Sequence, residues 1–210
     1  MRDIVKFSVL ILFISSCIQS GNIEDYKGCG TEGDAKRAEV RELNRQKNRF
    51  DIPDSGQTDY SITLSALLAP GDDQNRFTAG KAAEIIGFVS DVKMGGDESC
   101  NCHAADQQDR DTHIELVLNE KEAGSKLCVI VEVTPRLRAI MAAKGIDWST
   151  VTLKNTLKNH YIKVKGWMLF DEEHKRQATN TAPNNLGNWR ATCWEIHPVT
   201  GMAISSAPSL

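Results

Sequence analysis

Five runs of strand-like sequence, with one helical stretch between the third and the fourth, predict a mainly β chain closed into a single five-stranded barrel. Three observations carry this expectation. The runs alternate apolar and polar residues or are rich in β-branched ones. Their order, β-β-β-α-β-β, is that of an OB-type barrel. Gly87 and Gly166 fall in mid-strand, where a curled strand needs relief from side-chain crowding.

The first run is 84–92 (EIIGFVSDV). In the second, 112–118 (THIELVL), Ile114, Leu116 and Leu118 share one face, with His113 and Glu115 on the other. The third, 126–134 (KLCVIVEVT), is β-branched and stops at Pro135. Spacing then turns helical over 136–159, with Leu137, Ile140 and Met141 followed by Val151, Leu153 and Leu157. Gly145 interrupts this stretch, and Ser149 or Thr150 can start its second part. Residues 160–170 (HYIKVKGWMLF) and 190–199 (RATCWEIHPV) complete the set. A ferredoxin-like order would need a helix after the first strand, whereas 94–110 is polar, Gly-containing and Cys-rich.

Ahead of the barrel, Arg2 and Lys6 precede an unbroken apolar run, 7–14 (FSVLILFI), and then Ser15, Ser16 and Cys17. That order predicts a secretory signal over 1–16. Ile14-Ser15-Ser16-Cys17 resembles the bacterial lipobox, so Cys17 is expected to be lipidated, palmitate included, and to hold the chain at a cell-envelope membrane; the alternative is an ordinary cleaved signal with an incidental cysteine. The run is far shorter than the roughly 20 residues that span a bilayer. Ile18 and Gln19 follow the cysteine rather than an Asp-type retention signal, which favours the outer membrane of a cell with two. Residues 17–33 read as a flexible tether, 34–80 as a charged, mostly solvated helix plus a packing segment, 81–200 as the barrel and 201–210 as a tail.

Without the signal, 25 basic and 28 acidic residues lose Arg2, Lys6 and Asp3, leaving 23 against 27, a net charge of −4. Residues 81–200 hold 15 basic and 16 acidic side chains. Neither balance supplies the basic footprint of a chain that coats nucleic acid. Lys163, Lys165, Tyr161 and Trp167 could together stack a base or sugar, but the ordinary reading is an amphipathic strand. Besides Cys17 there are Cys29, Cys100, Cys102, Cys128 and Cys193. This odd number leaves at least one thiol free, metal-bound or paired between chains. A disulfide from the 100–102 loop, to Cys29 or within the barrel, is as compatible with the sequence as metal ligation. Cys128 and Cys193 read as two buried thiols on neighbouring strands.

The segments ELNRQKNR, GDDQNRF, ESCNCHAADQQDRDTHIEL, VIVEVTPR, NHYIKVKGWMLFDEEH and NWRATCWEIHPVT resemble a family of exported, largely uncharacterised bacterial proteins with an OB-like domain. DRDTHIEL and WEIHPVT are the most specific of them, and the likeness runs from about Arg41 to Val199. It implies the fold and an envelope or extracellular setting. It carries over no catalytic role.

In an OB barrel, the loops after strands one and four flank the usual ligand face. Here those loops, 94–111 and 171–189, are the longest in the domain, and long loops on a rigid scaffold are where function collects. Strand alternation places Asp111 and His113, then Glu132, then Glu195 and His197 on the polar side of three strands that should be neighbours. Two imidazoles with carboxylates suit zinc or another divalent metal. An open coordination position would activate water for hydrolysis, for example of a phosphodiester, with Arg110 holding a phosphate oxygen. Cys100, Cys102 and His103 hang from the adjacent loop without zinc-finger spacing. The bland alternative is a loop cap at Asp111 and an exposed edge pair, Glu195 and His197, ended by Pro198. The leading expectation is thus a lipid-anchored envelope binding module presenting two long loops to an unknown ligand or protein. A hydrolase using His113, Glu132 and His197 and a single-strand nucleic-acid binder are the alternatives.

Overall fold

A computed structural model describes residues 22–208. The signal segment, Cys17 and the first part of the expected tether lie outside the described residues. Among the described residues no helix is long and apolar enough to cross a membrane.

The chain begins with a small hairpin, β1 (Asp25–Tyr26) and β2 (Cys29–Gly30), followed by α1 (Ala38–Lys47) and α2 (Leu64–Leu68). The barrel strands are β3 (Ala82–Met94), β4 (Thr112–Val117), β5 (Val129–Val133), β6 (Tyr161–Phe170) and β7 (Trp194–Ile204), with α3 (Pro135–Ala143) and α4 (Thr150–Leu157) between β5 and β6. They close in the order β3-β4-β5-β7-β6. The pairings are antiparallel except β5 with β7, where Val131 lies opposite Ile196 in parallel register. This is the expected five-stranded barrel with its helical insertion after the third strand.

Inward-facing residues fill the barrel: Ile85, Val89, Ile114, Leu116, Val131, Val133, Val164, Met168 and Ile196 are all buried. Removing water from each such side chain is worth about 1.5–3 kcal/mol. Leu137, Trp148, Leu153 and Leu157 from the helical insertion, and Leu64 and Leu67 from α2, join the same core. Local chemistry sets the helix starts. Thr134 caps α3 by accepting from the Leu137 amide with Pro135 in the first turn, and Ser149 caps α4 through the Thr152 amide. At Gly166 an added Cβ would stand 2.3 Å from the Pro198 carbonyl oxygen, so only glycine permits this close strand approach, beside a register shift in β6.

Several expectations are corrected. Residues 22–33 are not a free tether: they form the hairpin, and Cys29 is disulfide-bonded to Cys102 across 73 positions. The charged helix is not merely solvated, because Asn44 and Lys47 are buried beneath the barrel's long loops. β7 runs on to Ile204, so 201–204 belong to the sheet rather than to a tail. Leu118 lies past the end of β4 and is exposed.

Candidate functional site

The outer side of β4, β5 and β7 is where the sequence places its polar residues, and it is not open to solvent. His113 is 6 % exposed, Asp111 and Glu132 2 %, His197 1 % and Glu195 0 %. Three pieces of chain roof it. The loop after β3 lays Cys100 and Asn101 over Asp111. The loop after β6 brings His174, Trp189 and Arg190. α1 delivers Lys47 from the side. The Trp189 ring lies parallel to the His113 ring, at 7° and 6.4 Å, with the Lys93 ammonium 4.8 Å from the Trp189 centroid. The disulfide and hairpin clamp this roof. Arg136, itself buried, donates to the backbone oxygens of Ile23 and Cys29 and to Asn48 Oδ1.

The five expected ligand residues therefore do come together. His113 and Glu132 are opposite one another in the β4–β5 register, with His113 Nε2 3.2 Å from Glu132 Oε1. His197 Nδ1 is 3.2 Å from Glu195 Oε2 and 3.6 Å from Glu132 Oε2, while its Nε2 faces Asp111 Oδ2 at 3.8 Å. Glu195 and His197 are not an exposed edge pair, since the two other strands and the roof enclose them. One ligand atom from each of Asp111, Glu132 and His197 lies within 4.8 Å of the others, and the same holds for Glu98, Cys100 and Asp111, and for Asp171, His174 and Glu195.

The remaining loop candidates separate. Cys102 is consumed by the disulfide to Cys29. His103 is exposed and pairs with Asp97, away from the cluster. Arg110 donates its Nε to the Ala104 carbonyl, so it does not face the carboxylates and holds no phosphate position beside them. Cys100 does reach the cluster, its Sγ 3.7 Å from Asp111 Oδ2. Burial and the neighbouring Asp111 and Glu98 push its thiol well above the ordinary range, so it is an S–H donor rather than a thiolate. Cys128 and Cys193 are buried free thiols. Trp167 is no open stacking platform: it is 2 % exposed, Arg49 sits 3.4 Å from its centroid, and its Nε1 donates to the Asp51 carbonyl.

Sequence reasoning missed Lys47, Asp171, His174 and Arg190. Lys47 Nζ is 2.8 Å from both Asp171 Oδ2 and Glu98 Oε2; His174 Nδ1 is 3.1 Å from Asp171; Arg190 forms a fully buried salt bridge with Glu195. The one available signal was Asp171-x-x-His174 directly after a strand, where a polar turn can fold back on the sheet.

The electrostatics divide along these partners. Burial lowers Lys47, but Asp171 and Glu98 outweigh it and hold the ammonium well above its usual range. Burial raises Asp171, and Lys47 with His174 brings it well below the carboxylate range. Burial likewise raises Glu195, and Arg190 and His197 return it to about 2. Asp111 lacks such a partner: burial, followed by His197 acting in the opposite sense and by the repulsion of Glu132 and Glu98, leaves it at about 6. Burial depresses His197, but Glu132, Glu195 and Asp111 overcome this and lift it to about 9. Burial also depresses His113, and Glu132 reverses the sign.

Comparison with protein-family models, with curated proteins and with solved structures found no match to this chain.

Proposed function

We propose that this protein is a lipid-anchored cell-envelope binding module whose two long loops close over a small ligand seated on the outer side of β4, β5 and β7. One observation carries the binding centre. Four buried carboxylates, Asp111, Glu132, Asp171 and Glu195, share one layer, and Lys47 and Arg190 are the permanent cations ion-paired with it among the described residues. Buried charge of one sign is costly unless it is paired. A cationic ligand would settle the excess, and the roofed position suits a small ligand rather than a strand of nucleic acid. The anchor and the envelope setting rest on the apolar run over 7–14 and on Cys17.

The test is native mass spectrometry of the full chain, extracted from the envelope in mild detergent. An extra mass beyond chain and lipid, released on unfolding, is the expected result. A chain carrying lipid alone that also takes up no added metal ion would overturn the binding centre. Soluble, unlipidated protein from wild type would overturn the anchor, as would unchanged membrane retention of Cys17→Ala.

A second reading, metal-dependent hydrolysis of a phosphodiester, is favoured by the convergence of Asp111, Glu132, His113 and His197. Their burial stands against it, because a substrate has no path to the cluster while the roof is closed. Turnover of bis(p-nitrophenyl) phosphate that is lost in Glu132→Gln would favour hydrolysis over binding.

A further inference from the structure

We propose that the occupant of this layer is one divalent first-row transition-metal ion (manganese, iron or zinc), held by Asp111, Glu132 and His197. The inference rests on the binding-centre reading above and names its ligand. Ligand atoms at about 2.0–2.2 Å from one ion stand roughly 3–4.4 Å apart, according to coordination geometry. The three side chains already bring one such atom each within 4.8 Å of the others, so an ion would have to draw them inward by side-chain rotation to complete the cage.

Three further observations point to a cation at this place. Asp111 Oδ1, Glu132 Oε2 and His197 Nε2 are buried and have no hydrogen-bond partner among the described residues. Such orphaned atoms are rare and each is costly to bury. The other face of the His197 ring is already oriented: Nδ1 lies 3.2 Å from Glu195 Oε2, and Glu195 is in turn fixed by Arg190. A ligating imidazole almost always donates its second N–H to a carboxylate or carbonyl in this way. Asn101 Nδ2 donates to Asp111 Oδ2 at 3.0 Å, which holds that carboxylate in place and leaves Oδ1 free.

The two rival groups are excluded by their own partners. Asp171, His174 and Glu195 already surround Lys47 and Arg190, so a metal ion there would meet two fixed positive charges. Glu98 is paired with the same Lys47, at 2.8 Å, so a metal ion at Glu98, Cys100 and Asp111 would meet that fixed positive charge. The ligand set is two carboxylate oxygens and one imidazole nitrogen. The imidazole selects a transition metal over magnesium or calcium, and without a thiolate no soft ion is favoured. The closed roof makes the ion a held ligand and not an open catalytic centre.

The experiment is elemental analysis of the full lipidated chain in mild detergent, followed by chelation and titration with Mn²⁺, Fe²⁺ and Zn²⁺, read by thermal melting. Wild type is expected to carry about one equivalent and to regain its melting temperature with one of the three ions. Asp111→Asn and Glu132→Gln, which keep side-chain shape, should lose the response, and Glu195→Gln should weaken affinity about 10–100-fold, the usual cost of an outer carboxylate. Asp91→Asn, an acidic change remote from the layer, should bind as wild type does. Should the layer variants fail to fold, the wild-type titration alone decides: no uptake and no melting shift overturn the metal. A released occupant of non-metal mass also overturns it while leaving the binding module standing. Absence of any occupant together with no metal uptake overturns both.

Discussion

The two halves of the buried polar layer solve the same problem by different means. In one half, Asp171 and Glu195 are matched by Lys47 and Arg190, cations that keep their charge at every physiological pH. In the other, the ion pairs of Asp111 and Glu132 among the described residues are with His113 and His197, whose charge depends on protons. The first half is a finished structural network that ties α1 and the loop after β6 to the sheet. The second is balanced only when protonated or occupied. Burial is nearly equal in the two halves, so the difference lies in the partner and marks where a ligand belongs.

The largest effect should come from breaking the finished half. Lys47→Met removes the cation from Asp171 and Glu98 and is expected to cost about 3–5 kcal/mol in urea unfolding, as for other broken buried pairs. A loss below 1 kcal/mol would mean that the two halves do not differ as described. Next comes the clamp over both halves. Opening Cys29–Cys102 in Cys29→Ser/Cys102→Ser should cost about 4 kcal/mol for a loop of this length. It should also speed hydrogen exchange at 22–33 and 95–111 without disturbing β3 to β7.

A pH series on chelated protein sharpens the contrast. His197 is raised to about 9 from an ordinary 6.5, so its stabilising contribution is complete below pH 6.5 and is lost as pH rises to 9. Unfolding free energy should fall across that window by an amount on the order of 3 kcal/mol. Glu195 in the matched half should not add to that slope, because at about 2 it contributes above pH 4.5 and loses its effect only as pH falls toward 2. With metal bound the slope should reverse, since a proton on His197 competes with the ion. The smallest effect is expected at Leu186, which is 95 % exposed at a loop tip: Leu186→Ser should change stability by no more than about 0.5 kcal/mol. A larger loss would place an unrecognised contact on the roof.

How much of this was legible in the sequence follows from range of interaction. Barrel and strand faces are local: the alternation of 112–118, the stop at Pro135 and the interruption at Gly145 each act within a few residues. Register-independent neighbour rules for the fold were enough to gather Asp111, His113, Glu132, Glu195 and His197 on one side. Lys47 was opaque, because within a run of basic residues nothing distinguishes the one lysine that reaches under a loop more than a hundred positions away. The hairpin over 25–30 was opaque too. Two-residue strands have no periodicity to read, and their order comes from a disulfide whose partner the spacing did not single out. Arg110 looked suited to a phosphate because it precedes Asp111, yet its turn directs the guanidinium to a local carbonyl.

The measurement that reaches the central claim most directly is the melting temperature of chelated full-length protein with and without Mn²⁺, Fe²⁺ or Zn²⁺, in parallel with Asp111→Asn. Selective binding to the folded state predicts an added stability of about 2.7 kcal/mol at a hundredfold excess of metal over Kd, in wild type and not in the variant. Wild-type protein whose melting temperature ignores all three ions, or a variant that responds as wild type does, would contradict an unfilled cation seat at Asp111, Glu132 and His197.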